Sequence, residues 1–136
     1  MNPHVSVITL GVRDMSLAKQ FYSEGLGWPI QQDYAEWVSF NLNDGSSALG
    51  LYPWNALAAD AGVTAEGSGF RGFTLSYIVR SKERVDAVLA EAERAGGKIA
   101  KPAQDAYGGR FGYFTDPDGY LWKVAAGPVE QSFVAE

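Results

Sequence analysis

The sequence contains no cysteine. Disulfide staples, thiolate metal centres and a cysteine nucleophile are therefore excluded. It contains one histidine, His4, ahead of the first apolar segment, so no Ser-His-Asp set is expected in the body of the chain. No apolar run approaches the roughly 20 residues of a membrane-spanning helix. No basic-then-apolar leader is visible either, and a soluble cytoplasmic protein is expected. Cations are in the minority, with 11 Lys and Arg against 16 Asp and Glu and a net charge of −5. A nucleic-acid backbone attracts a dense Lys/Arg surface, so nucleic acid is not an expected partner. Paired carboxylates at cleft positions, as glycoside hydrolysis needs, are not visible.

What is present is a regular pattern. The chain has 136 residues, enough for one domain with a sizeable core. "VSVITLGV" reads as a strand. "RDMSLAKQFYSEGLG" reads as a helix capped by Asp14, with an apolar stripe of Leu17, Phe21 and Tyr22 and a stop at Gly25 and Gly27. Residues 30–54 read as three short strands. Their turns fall near Tyr34-Ala35-Glu36 and at Asn43-Asp44-Gly45, where Asp-Gly is a hairpin signal. "NALAADAGV" reads as a short helix and "TAEGSGFRG" as a connector. The same order then recurs: a strand "FTLSYIV", a helix capped by Ser81 and stopped by Gly96-Gly97, and three strands ending in "YLWKVA".

The recurrence can be followed in register. "VRD" at 12–14 matches "VRS" at 79–81, an offset of 67 residues, and "SFNLNDGSSALGLY" at 39–52 matches "GYFTDPDGYLWKVA" at 112–125, an offset of 73. The organisation expected is module one at about 5–54, a connector at about 55–72, module two at about 73–126 and a tail at 127–136, all in a single domain. Modules that cannot close a core alone pack together, and the cleft between them is a natural ligand site. "GSGFRG" at 67–72 fits G-x-G-x-x-G. It precedes a strand and opens no helix, so it reads as a flexible connector. Residues 54–72 are also the candidate lid, with a plain linker as the alternative.

Three stretches carry a family resemblance: "ITLGVRDMSLAKQFYSEGLGW", "TLSYIVRSKERVDAVLAEAERAGGKI" and "GGRFGYFTDPDGYLWKV". In these the chain resembles the glyoxalase/bleomycin-resistance/extradiol-dioxygenase, or vicinal oxygen chelate, superfamily over about residues 5–125. The resemblance implies an α+β fold. Two βαβββ modules would form an eight-stranded curved mixed sheet around a cleft, with helices outside and often a homodimer. It also implies four metal-ligand positions, one on the first and one on the last strand of each module, normally His, Gln or Glu. By register these are Val7, Gly50, Thr74 and Lys123. Valine and glycine carry no side-chain donor, threonine is a weak neutral one, and a protonated lysine repels a cation. No metal and no other cofactor is therefore expected.

Alternation along the strands gives the expected lining. Val7, Thr9, Gly11, Ala48 and Gly50 would form a floor, with Trp37, Ser39 and Tyr52 beside them. Thr74, Ser76 and Lys123 come from the second module, and the offset of 73 adds Arg110 and Phe114. Trp37, Tyr52 and Phe114 would be walls, and Lys123 and Arg110 positive points for an anionic or aromatic small molecule. Taken singly, each of these aromatics is more often core than ligand wall. Lys123 could equally form a salt bridge to Glu36 or Asp105. The expected function is metal-independent small-molecule binding. The alternative is a lyase, isomerase or dioxygenase-type enzyme using Lys123, the only catalytic candidate, or a displaced metal site. The fold names no reaction.

Overall fold

The computed structural model describes residues 1–136 apart from Asp44, Ser46 and Val129. The expected Asn43-Asp44-Gly45 turn includes Asp44 and so lies outside the described residues. The chain divides into two compact units, Met1–Gly67 and Ser68–Glu136.

In the first unit, β1 (Val7–Val12) leads to α1 (Met15–Gln20), then β2 (Ile30–Tyr34), β3 (Trp37–Asn41), β4 (Ala48–Pro53) and α2 (Trp54–Ala61). The sheet order is β1-β4-β3-β2, with β1 parallel to β4 and the other pairs antiparallel. The Asp14 side chain caps α1 by accepting from Leu17 N at 3.0 Å. Past Gln20 the helix widens into a π turn, Phe21–Gly25, whose closing bond is Leu26 N to Phe21 O at 2.8 Å. The buried stripe is Ala18, Phe21 and Tyr22. Leu17 does not belong to it: at 49% exposure it points outward, because Ala18 and Tyr22, four apart, define the inward line. The helix covers the sheet face of Leu10, Val12, Val38, Phe40, Leu49 and Leu51, all buried. Trp28 closes this core against Tyr22 and Phe40 at 5.6 and 6.3 Å between centroids.

The second unit repeats the plan with β5 (Leu75–Ile78), α3 (Lys82–Arg94), β6 (Lys98–Ala106), β7 (Gly109–Thr115) and β8 (Leu121–Ala126). The sheet order is β5-β8-β7-β6, and only the β5–β8 pair is parallel. Ser81 caps α3 by accepting from Arg84 N, and Gly96, at a φ of 113°, ends it. The chain is thus α+β, with two βαβββ modules whose eight strands form two open four-stranded mixed sheets.

The β7–β8 turn is built by Asp116. Its carboxylate, in a residue only 3% exposed, accepts from Asp118 N and Tyr120 N at 2.9 Å each. Gly119 supplies the left-handed φ of 83° that the turn needs. That turn fixes the pairing behind it, Thr115 with Leu121, Phe114 with Trp122 and Tyr113 with Lys123.

Candidate functional site

In each unit one sheet face packs on a helix and the other turns away from it. In the first unit the face turned away from α1 carries Thr9, Gly50 and Ser39 in one cross-strand row, with Val7 and Ala48 in the next. The benzo end of the Trp37 indole lies over Gly50. A β-carbon added at Gly50 would fall 2.8 Å from Cζ3 and 3.1 Å from Cζ2 of the indole, and closer still to Cη2. The ring is held by two contacts. Its Nε1 donates to Gln32 Oε1 at 2.9 Å, and its edge meets Tyr52 at 6.3 Å between centroids. Gln32 Oε1 also accepts from Ser39 Oγ at 3.0 Å. Trp37, Ser39 and Tyr52 are therefore brought together. Ser39 is buried beneath the network, so its hydroxyl is engaged in holding Gln32.

Trp54 closes the other end of this face, against Gly11. Its Nε1 donates to Ala65 O at 2.6 Å, and the Arg13 guanidinium lies 4.3 Å above its ring. Arg13 also donates to Gly67 O at 3.5 Å. Residues 65–67 of the connector are thus tied to Arg13, just past β1, and to Trp54 of α2, within their own unit.

In the second unit the face turned away from α3 carries the row Ser76, Lys123, Tyr113, Lys101, one residue from each strand. Adjacent to it lie Phe111 with Gln104, and Thr115 with Lys98. The Lys123 ammonium lies 5.2 Å from the Phe111 ring centroid and that of Lys101 lies 5.0 Å from it, both in cation–π contact. Phe111 also meets Tyr113 edge-on at 6.2 Å and Tyr107 at 6.3 Å. Tyr107 takes a left-handed φ of 53° in the β6–β7 turn, a region side chains seldom occupy. Thr74 sits just before β5, exposed, two residues from Ser76.

Arg110 and Phe114 are not on this face. They share a side with Trp122, Val124 and Ala126, packed toward α3. Phe114 is 3% exposed and stacks on Trp122 at 6.0 Å with 1° between the planes. Arg110 is a brace, donating through Nε and Nη2 to Asp86 of α3 at 3.1 and 3.0 Å and through Nη1 to Asp105 at 3.1 Å. The hydrogen bond from Arg110 holds the Asp105 carboxyl below its ordinary range. Asp105 also pairs with Lys82 at 3.6 Å, and so is not the partner of Lys123. The expectation for Arg110 and Phe114 is corrected by a difference in hairpin length. Ser39 lies opposite Gly50, whereas Tyr113 lies opposite Lys123, so the first hairpin is one residue longer. A one-residue slip moves every side chain to the other face. Phe111 and Tyr113 take the places assigned to Arg110 and Phe114. Counting back from the Asp116–Gly119 turn identifies them; carrying an ungapped offset from the first module does not.

The donor chemistry at the four inferred metal positions does not fit a divalent ion. Val7 offers nothing, Gly50 lies under an indole, Thr74 is a lone hydroxyl and Lys123 is a cation. Among the described residues no three His, Cys, Asp or Glu side chains gather as a metal site. Nor, among them, does any helix have the length and apolarity to cross a membrane.

A family profile for the "Glyoxalase/Bleomycin resistance protein/Dioxygenase superfamily" matches residues 4–124. The chain belongs to this superfamily. Among solved structures it is similar to a glyoxalase-related enzyme from Fulvimarina pelagi, with 32% identity, a TM-score of 0.83, and 94% of this chain and 91% of that one covered. A glyoxalase/bleomycin resistance protein/dioxygenase family enzyme from Burkholderia phytofirmans PsJN aligns at 20% identity with a TM-score of 0.79, covering 92% and 99%. A lactoylglutathione lyase from Agrobacterium tumefaciens aligns at 19% identity and 0.68, covering 93% and 95%. These last two share the fold. A search of the curated proteins finds no match.

Proposed function

We propose that this superfamily member is a metal-independent binding protein for a small aromatic or anionic molecule, held by Lys123 and the aromatic side chains beside it. The observation that carries this reading is the setting of Lys123. It stands between Ser76 and Tyr113 and against the Phe111 ring, and among the described residues of its own unit no carboxylate pairs with it. A cation with an aromatic neighbour and no acid is matched by a ligand that brings both a ring and a negative charge. The donor-poor positions Val7, Gly50 and Thr74 support metal independence on chemical grounds. We propose further that Trp37 and Tyr52 of the first unit contribute to ligand binding, and that the protein is a cytoplasmic homodimer.

The test is calorimetric titration of benzoate into chelator-treated protein, with and without added zinc or nickel. Saturable binding that is indifferent to metal and lost in Lys123→Met supports the proposal. Binding that appears only with metal overturns it. A second reading, a lyase, isomerase or dioxygenase-type enzyme with Lys123 at its centre, draws on the 32% identity to a protein described as a glyoxalase-related enzyme. That reading is lost once a substrate is found that Lys123→Met turns over at the wild-type rate.

A further inference from the structure

The chain has five lysines, Lys19, Lys82, Lys98, Lys101 and Lys123. Lys19 and Lys82 are ion-paired, to Asp33 at 2.8 Å and Asp105 at 3.6 Å. Among the described residues the other three have no ion-pair partner, and all three lie on one face of one sheet. Lys101 and Lys123 flank Tyr113 in its row, and Lys98 stands opposite Thr115 in the next. The carboxylates of the strands and helix of this unit lie elsewhere: Glu83, Asp86, Glu91 and Glu93 on α3, and Asp105 opposite Arg110 on the reverse face. In a protein of net charge −5, clustering the unpaired lysines produces a local positive field where ordinary surface design would intersperse the signs. The same patch contains the aromatic series Tyr107, Phe111, Tyr113, and its central ring touches two of the three ammonium groups.

From this we infer that the ligand is an aromatic polyanion, a planar ring bearing at least two negative groups, one met by Lys123 and another by Lys101 with Lys98. The inference rests on the binding reading above and deepens it, since one charge would satisfy Lys123 alone. The occupant is a small molecule because the charge complement is compact: three ammonium groups border a few rings, with Ser76, Thr115 and Gln104 available as neutral hydrogen-bonding neighbours. Flanking a ring with lysines also suits a stacked ligand, whose anionic substituents project past the ring edge.

The test is titration of the full chain with benzoate, isophthalate and glutarate, which carry one charge with a ring, two with a ring, and two without. Isophthalate is expected to bind roughly tenfold or more tighter than benzoate, the gain from one further charge-assisted contact. Glutarate is expected to be weaker than isophthalate. Lys101→Met should reduce the isophthalate preference to about twofold or less, and Lys82→Met, on the α3 side, should leave it intact. Circular dichroism verifies that each variant is folded. Equal affinity for benzoate and isophthalate overturns the polyanion inference and leaves the binding reading standing. Absence of binding by all three overturns both. Isophthalate binding that weakens as protein concentration rises identifies a second copy of the chain as the occupant and also overturns the inference.

Discussion

The benzo end of the Trp37 indole occupies the space that a β-carbon at residue 50 would need, so the glycine is the residue that lets the ring sit on the sheet. The ring cannot simply lift away, because Gln32 accepts from its Nε1 and Tyr52 packs on its edge. Gly50→Ala is therefore expected to destabilise the protein by about 1–3 kcal/mol, the usual cost of overpacking. In a Trp37→Ala background the same substitution should cost far less. Denaturant melts of the four proteins of this cycle give the coupling. Additive costs would show that the ring and the glycine are not in contact.

Phe114 was a candidate wall and is instead core. It stacks on Trp122 beneath α3, on the side of the sheet away from Lys123. Phe114→Ala should cost about 3–5 kcal/mol, as large aromatic deletions in a core do. Phe111→Ala, on the Lys123 side and half-buried, should cost less and weaken aromatic-acid binding instead. Measuring stability and benzoate affinity on both variants separates the two roles. Equal loss of affinity in both would place Phe114 in the site after all.

Much of the architecture is readable from local chemistry. Asp14 and Ser81 cap the helices that their sequences indicate, Gly96 ends the long one, and Asp116 with Gly119 shapes the last hairpin. Each is a short-range rule whose partners lie within a few residues. The geometry of the candidate site is legible in the sequence only in part. Lys123, Ser76, Trp37 and Tyr52 follow from alternation within a strand. Phe111, Tyr113 and Lys101 depend on pairing between strands, where one extra residue in the first hairpin and bulges in β6 reset the register. Gln32 could not be read from the sequence, because its role is to accept from Trp37 and Ser39 across a strand pair.

Arg110 links β7 to α3 through Asp86 and to β6 through Asp105. Its hydrogen bond depresses the Asp105 pKa below the ordinary 3.8, so this carboxylate contributes stability that is present above pH 3.8 and lost as the pH falls through the lowered folded value. All three side chains are partly solvated, which keeps the effect small. Arg110→Met should lower stability slightly at neutral pH and flatten the acid limb of the stability profile below pH 3.8. Because the residue faces α3, benzoate affinity should not change. An acid limb as steep as in the wild type would remove Asp105 from this role.

Tyr77 supplies the alkaline counterpart. Burial, and then the nearby Glu136 carboxylate that also accepts its hydrogen bond, raise its phenol to about 12 from the ordinary 10.0. Glu136 is itself fixed by Arg84 at 2.5 Å, and its backbone carbonyl accepts from Arg80 N at 3.0 Å, so the carboxylate stays beside the phenol. A raised folded pKa means that the unfolded chain releases this proton first. The associated stability is complete below pH 10 and lost as the pH rises toward 12. Tyr77→Phe should therefore flatten the decline in stability between pH 10 and 12, and Glu136→Gln should weaken it in the same direction. Ultraviolet titration of tyrosinate in the folded protein should show a late-ionising component in the wild type that is smaller by one tyrosine in Tyr77→Phe. If all seven tyrosines ionise together near pH 10, the Glu136 contact does not hold the phenol in solution.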